Sequence, residues 1–259
     1  MLPAAYAQGG CSPLHFVWAR ATTEPPTGVD NANAAQFEAA AARYWSKGYG
    51  AAGYSIYTNV TSLIPDATGY PVHYPASFSG CSSENKGIAD LVSQLTTQAE
   101  RCPEQKFALG GHSQGGVVLV RAIPQIPAAV QQRVIAITMV GSPNCPTSVK
   151  GKCKSYCNEG DSICSASGTG SSGRCNTRRN ALVDLFQSDP EYVDGVLDLR
   201  STSDLEARAA PDCSQPEPAE KGHRASGGSA HLAYSADGFY TRAAACYILR
   251  AFTASQGVA

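Results

Sequence analysis

Residues 106–122 read KFALGGHSQGGVVLVRA, and this stretch decides the fold. KFAL predicts a buried strand, and VVLV predicts the apolar face of a helix that begins at Gln114. Between them, residues 111–115 fit the pattern G-x-S-x-G, whose glycines let a strand turn sharply into a helix with the serine at the tip. Ordinary Gly/Ser loops also match this pattern, but the flanking strand and helix favour a nucleophile elbow. We therefore predict Ser113 as a nucleophile, with backbone N–H groups at the start of the helix beside it.

Strand and helix patterns alternate on both sides of this stretch. Apolar or β-branched runs predict strands at Leu14–Ala19, Tyr54–Val60, Val134–Val140 and Lys152–Tyr156. Helical spacing predicts helices at Ala34–Trp45, with Asp30 or Asn31 as cap, and at Asn85–Arg101 and Gly238–Phe252. This rhythm predicts an α/β fold, an α/β-hydrolase-type doubly wound parallel sheet flanked by helices, formed by residues 1–259 as a single domain.

A large insert, roughly residues 165–229, interrupts the rhythm. Its two ends are rich in Gly, Ser and Pro and read as flexible tethers. Two short amphipathic helices are predicted between them, one over Asn180–Phe186 and one around Tyr192–Leu197. We expect the insert to form a lid or pocket wall, and the alternative is a decoration packed away from the site.

Composition excludes several classes of protein. The chain has 259 residues, 43% hydrophobic and 16% charged, with 20 basic and 21 acidic side chains. The net charge is −1 and no run of basic residues occurs, so the sequence shows no basic patch of the kind that binds nucleic acid. The longest apolar run is too short to span a membrane, so we expect a soluble protein. Ten cysteines indicate an oxidising compartment and up to five bridges, and they lack the spacing of zinc sites, so no metal is expected.

The opening residues have neither a basic nor an apolar segment, so we interpret the chain as the mature form of a secreted, extracellular protein.

A serine nucleophile needs a base and an orienting acid, which follow it in this fold in the order acid, then histidine. His223 and His231 both follow Ser113, and His231 is favoured because SAHLAY stands just before the last helix. Six candidate aspartates fall between Ser113 and His231: Asp161, Asp184, Asp189, Asp194, Asp198 and Asp204. Asp161 is preferred because it lies in CNEGDSIC, after a candidate strand, in a loop that a bridge would stiffen. The alternative is that Asp161 only shapes its own turn.

Four stretches together resemble the cutinase family of secreted serine esterases, which includes related acetylxylan esterases. They are CSPLHFVWARATTE at 11–24, RCPEQKFALGGHSQGG at 101–116, YCNEGDSIC at 156–164 and SAHLAYSADG at 229–238. The resemblance implies Ser113, Asp161 and His231 as a catalytic triad. It also implies an oxyanion hole formed by the Gln114 N–H with Thr22, and bridges joining Cys11 to Cys102 and Cys157 to Cys164.

The sequence also departs from the family pattern. His112 stands where tyrosine is usual and Ala21 where glycine is usual, and the insert delays the histidine. Six further cysteines have no assigned partners: Cys81, Cys145, Cys153, Cys175, Cys213 and Cys246. We expect three more bridges among them, at least one of which tethers the insert through Cys175 or Cys213.

The sequence therefore predicts a secreted serine carboxylic ester hydrolase that cleaves aliphatic esters or polyesters through an acyl-enzyme intermediate. Its partner would be an ester substrate: a cutin-like polyester, a lipid-like ester or an acetylated polysaccharide. We expect a monomer that uses no cofactor and no metal. The alternatives are an acetylxylan or other carbohydrate esterase, and an inactive binding protein on the same scaffold.

Overall fold

The computed structural model describes residues 10–29, 33–79, 81–142, 144–165, 210–226 and 229–257. The strands are β1 (Leu14–Ala19), β2 (Thr68–Pro71), β3 (Lys106–His112), β4 (Val134–Val140), β5 (Cys153–Asn158) and β6 (Lys221–His223). The helices are α1 (Ala34–Ala41), α2 (Gly50–Leu63), α3 (Cys81–Arg101), α4 (Gln114–Ala122), α5 (Ala128–Gln131), α6 (Ser162–Ser165) and α7 (Phe239–Ser255). Short 3-10 turns occupy Ile123–Gln125 and Thr147–Lys152.

The six strands form one parallel sheet in the order β2-β1-β3-β4-β5-β6. Because the strands are parallel, the segments that follow β1, β3, β4 and β5 meet at the same edge of the sheet. This is the edge at which Ser113 and Asp161 lie.

Helices cover both faces of the sheet, which explains why the central strands are continuously apolar. In β1, Val17 packs into a core with α3 and α4, whereas Phe16 and Trp18 pack into a second core with α2 and α7. Every residue of β1 is buried. The sheet is therefore held from both sides, and its carboxyl edge is a rigid base for a site.

The predicted parallel sheet flanked by helices is confirmed, and most predicted elements lie within a few residues of the observed ones. Asn33 caps α1 by accepting from the Gln36 N–H, while Asp30 and Asn31 lie outside the described residues. The strand predicted over Tyr54–Val60 is wrong, because this segment lies within α2.

The physical reason for the error at α2 lies in its buried face. Ala52, Ile56 and Val60 recur every four residues and are buried, so they line one side of a helix. The tyrosines between them raised the strand propensity of the segment, but burial of the helical face overrides local propensity.

The closing part of the insert differs from the predicted flexible tether. Residues 221–223 form β6, which pairs with β5, and Cys213 is bonded to Cys246 of α7. Arg250 of α7 also donates to the Cys213 carbonyl at 3.2 Å. The prediction that a cysteine bridge ties the insert to the fold is confirmed at Cys213. The two predicted insert helices lie outside the described residues.

The structure pairs Cys11 with Cys102, Cys157 with Cys164, and Cys145 with Cys153. Cys81 is also disulfide-bonded, and Cys175 lies outside the described residues. In the part of the chain that the structure describes, no helix combines the length and the apolar character needed to cross a membrane.

Candidate active site

Ser113 lies at the sharp turn between β3 and α4, with φ 54° and ψ −117°. This is a positive φ that a residue with a Cβ seldom adopts, and the neighbouring glycines make the turn possible. A Cβ on Gly111 would collide with the backbone of Gly115, and a Cβ on Gly115 would collide with the Ala19 carbonyl. The predicted elbow is therefore present, and it holds Ser113 at the edge of the sheet, where the residue is buried.

Asp161 and His231 form a buried pair. Asp161 follows β5, and His231 lies in the turn that precedes α7. The His231 Nδ1 lies 3.0 Å from each carboxylate oxygen of Asp161. The side chains are 8% and 0% exposed, so water does not compete for this contact. Nδ1 is thus engaged by the acid, which leaves Nε2 as the ring nitrogen that can exchange a proton with a hydroxyl.

The pair lies next to the serine turn, as the contacts of Val140, Gly141 and His112 show. The Ser113 N–H donates to the Val140 carbonyl at 3.2 Å. The next residue, Gly141, has φ +54°, and a Cβ there would stand 2.9 Å from His231 and 3.0 Å from Asp161. His112, next to Ser113, places Nε2 3.0 Å from the His231 carbonyl oxygen. The structure therefore gathers the three predicted triad residues at one edge of the sheet.

The charge state of Asp161 follows from its contacts. Burial alone would raise its pKa, but the hydrogen bond and charge of His231, the Tyr234 hydroxyl and the Ile163 N–H outweigh burial and lower the pKa. An ionised carboxylate is what holds an imidazole in the tautomer with a proton on Nδ1.

His112 stays neutral for a different reason. Burial, with a smaller contribution from the charge of His231, lowers the pKa of His112 to about 3. Since its Nε2 faces a carbonyl oxygen, that nitrogen carries the proton and donates it. His112 therefore links the two loops without adding a charge beside the pair.

The predicted oxyanion residue Thr22 is buried in a loop after β1 that is braced by charged side chains. Glu24 is buried and accepts from the Ala21 N–H at 2.6 Å and the Ala51 N–H at 2.8 Å. The fully buried Arg20 donates to the Glu24 carbonyl at 2.8 Å. Satisfied buried charges of this kind fix a loop firmly, which is what an oxyanion donor requires.

Gln114, the other predicted oxyanion residue, is the first residue of α4. The first N–H groups of a helix have no partner within the helix. Its side chain is held by the Ser77 carbonyl and by Glu84, both at 3.0 Å. These contacts fix the start of α4 against the first turn of α3 and the loop before it.

The alternative base, His223, lies away from Asp161 and Ser113. His223 contacts Asp237 at 2.7 Å and stacks on Phe239. It therefore packs against the residues between His231 and the start of α7. Asp184, Asp189, Asp194, Asp198 and Asp204 lie outside the described residues.

Sequence reasoning missed four residues that hold this site: Arg20, Glu24, Gly141 and Tyr234. Arg20 and Glu24 lie in the stretch 11–24, and Tyr234 lies in 229–238, but the partner of a side chain across the sheet cannot be predicted from spacing. Gly141 follows the strand Val134–Val140 directly, and a glycine at that point was the one available signal.

Within the residues that the structure describes, one group of potential metal ligands stands close together: Cys157, Asp161 and Cys164. The two sulfurs are bonded to each other, so neither offers the thiolate that binds a metal. The two cysteines therefore form a disulfide that closes the loop around Asp161.

Comparison with known proteins gives the family. The family model for cutinase matches residues 10–174. A cutinase of Monilinia fructicola is 30% identical over 158 residues, which are 60% of this chain and 70% of the relative. A cutinase of Coprinopsis cinerea is 34% identical over 36% of this chain and 50% of the relative. A carboxylesterase of Mycobacterium tuberculosis is 33% identical over 29% of this chain and 35% of the relative.

The chain thus spans between half and about two thirds of the first curated relatives it matches. A solved acetylxylan esterase shares the fold, with a TM-score of 0.53 and 19% identity over 93% of this chain and 99% of that chain. The match of the cutinase model to more than half of the residues, on a sheet of the same architecture, shows that the chain belongs to the cutinase family.

Proposed function

We propose that the protein is a secreted serine esterase in which Ser113, His231 and Asp161 act as nucleophile, base and orienting acid. The observation that supports this most directly is the buried contact of His231 Nδ1 with Asp161, next to a serine held at positive φ. A structural Asp–His contact alone would not require the strained turn at Ser113.

The reaction follows from these positions. His231 takes the hydroxyl proton as Ser113 attacks the ester carbonyl, and Asp161 stabilises the imidazolium that forms. The backbone N–H of Gln114, with Thr22, stabilises the negative oxygen of the tetrahedral intermediate. His231 then protonates the leaving alcohol as the ester C–O bond breaks, which leaves the acyl group bonded to Ser113. His231 next takes a proton from a water molecule that attacks this acyl group, and the bond to Ser113 breaks to release the acid.

Secretion is supported by the cysteines. Four bridges link described residues and Cys81 is bonded as well, which suits an oxidising compartment. The substrates we propose are aliphatic esters and cutin-like polyesters, with acetylated polysaccharide as the alternative.

Hydrolysis rates test the reaction and the substrate class together. Purified protein and Ser113→Ala would be assayed on p-nitrophenyl esters from acetate to palmitate, on polyester film and on acetylated xylan. We expect ester hydrolysis by the parent and a loss of several orders of magnitude in the variant. A folded variant with near-parent turnover would remove Ser113 as nucleophile, and activity on acetylated xylan alone would favour the carbohydrate esterase.

The lid or pocket wall predicted for the insert falls on residues 166–209, which lie outside the described residues, so it stays a prediction. The chain returns to the described part at residues 210–217, where Cys213 is bonded to Cys246 in the middle of α7 and Glu217 pairs with Lys154 near the start of β5.

A further inference from the structure

The carboxylate of Asp161 has a second side-chain partner besides His231. Tyr234, three residues after His231, is buried and places its hydroxyl 2.6 Å from Oδ2 of Asp161. The Ile163 N–H donates to Oδ1 at 2.9 Å. With His231, the acid therefore receives three donors, and the hydroxyl shares one oxygen with the imidazole.

The position of the Tyr234 proton follows from its other neighbour. The Asn158 N–H points at the Tyr234 oxygen at 3.0 Å, and a backbone N–H can only donate. The Tyr234 oxygen therefore accepts there, and its own proton goes to Asp161. The Cys164 sulfur is 3.5 Å away, but it is bonded to Cys157 and is a weak acceptor. The last residue of β5 thus aims the phenol at the acid.

We propose that Tyr234 is a positioning residue of the ester-hydrolysing site, which holds the Asp161 carboxylate ionised and correctly turned toward His231. This inference rests on the proposed triad. Tyr234 touches neither the nucleophile nor the developing oxyanion, and it acts through Asp161. Three directed donors fix the rotation of the carboxylate, and without the hydroxyl Oδ2 keeps only the imidazole, while the Ile163 N–H still holds Oδ1.

The direction of the pH effect follows from the charge. Without the hydroxyl, ionised Asp161 is less stabilised, so it takes up a proton at higher pH. Activity needs the ionised carboxylate, so the loss of activity on acidification moves to higher pH.

The other titratable groups around this contact are His112, Tyr240 and Glu24. The ring of His112 lies 5.5 Å from that of Tyr234, and burial first, then the charge of His231, lowers the pKa of His112 to about 3. The Tyr240 ring lies 6.3 Å away, and burial raises its pKa. Burial also raises the pKa of Glu24, which interacts electrostatically with His231. All three groups are the same in the parent and in Tyr234→Phe, and the control variant Tyr240→Phe changes Tyr240 alone.

The test compares Tyr234→Phe with Tyr240→Phe. Tyr240 is equally buried and accepts from the His223 N–H at 3.3 Å, so its variant also removes a buried hydroxyl, but one without contact to Asp161. For Tyr234→Phe we expect kcat on p-nitrophenyl butyrate to fall about tenfold or more, because a hydrogen bond to a buried charge is lost. The acid limb of the pH profile should move up by roughly 0.5–1 pH unit. Tyr240→Phe should leave the limb in place.

A uniform loss of activity with an unmoved acid limb would show that Tyr234 only supports the loop, and would overturn the proposal. Should Tyr234→Phe fail to fold, 3-fluorotyrosine at position 234 keeps the shape and gives a more acidic donor. The limb should then move to lower pH, and movement to higher pH would contradict the proposal. Ser113→Ala, assayed alongside, reports separately on the proposed function: a loss there with no limb shift in the tyrosine variants rejects only the role of Tyr234.

Discussion

Acid should destabilise the protein through His112, and the size of the effect follows from its burial. In the unfolded chain His112 takes up a proton near its ordinary pKa of 6.5, whereas in the folded protein burial lowers the pKa to about 3. Between these values the unfolded state binds the extra proton, so the free energy of unfolding falls as the pH falls. At about pH 5 the linkage amounts to about 2 kcal/mol.

The variant His112→Gln isolates this contribution. The glutamine amide can donate to the His231 carbonyl as the imidazole Nε2 does, but it does not titrate. Burial also lowers the pKa of His15 and of His73 to about 4, and both histidines are present in the parent and in the variant, so their effects cancel.

Urea unfolding, followed by the fluorescence of the two tryptophans, gives the free energies at about pH 7 and about pH 5. Between these pH values the parent should lose about 2 kcal/mol more than His112→Gln. Parallel losses would show that His112 is already protonated or exposed in the folded protein, and would refute the neutral donor described for this site.

Three further predictions concern the site. Gly141→Ala should lower kcat about 100-fold, because the new Cβ would stand against His231 and Asp161 and because the position has a positive φ. The control Gly151→Ala places its Cβ in open space and should be close to neutral. Equal effects of the two variants on kcat would contradict the packing described here. His231→Ala should nearly match the loss of the nucleophile, while His223→Ala should cost far less, and the reverse ranking in the same assay would move the base to His223. Glu24→Gln should lower kcat by about tenfold or more, since one of two buried N–H groups then faces an amide donor; unchanged kcat in a folded variant would separate this loop from catalysis.

Local pattern predicted most of the sheet and the order of the site residues. Strands such as Val134–Val140 are buried on both faces, so their sequence is continuously apolar and easily identified. The elbow could be predicted because its glycines are required by the turn itself. Asp161 and His231 could be placed in order along the chain, and the resemblance to the cutinase family narrowed the choice of each.

The parts that could not be predicted depend on contacts across the fold. The edge strands β2 and β6 are four and three residues long and partly exposed, so they carry no apolar pattern. Gly141 and Tyr234 matter because the loops that carry them meet at the carboxyl edge of the sheet. Which loops meet there cannot be predicted from local sequence patterns. In α2 the four-residue spacing of buried residues favours a helix, but the strand propensity of its tyrosines favours a strand.

In the proposed reaction one activated serine, Ser113, carries the chemistry. The most direct measurement treats the folded protein with a serine-directed organophosphate, follows the loss of esterase activity, and locates the adduct by peptide mass spectrometry. We expect one adduct, on Ser113, formed in proportion to the activity lost and strongly slowed in His231→Ala. An adduct on another residue, or full inactivation with Ser113 unmodified, would contradict it.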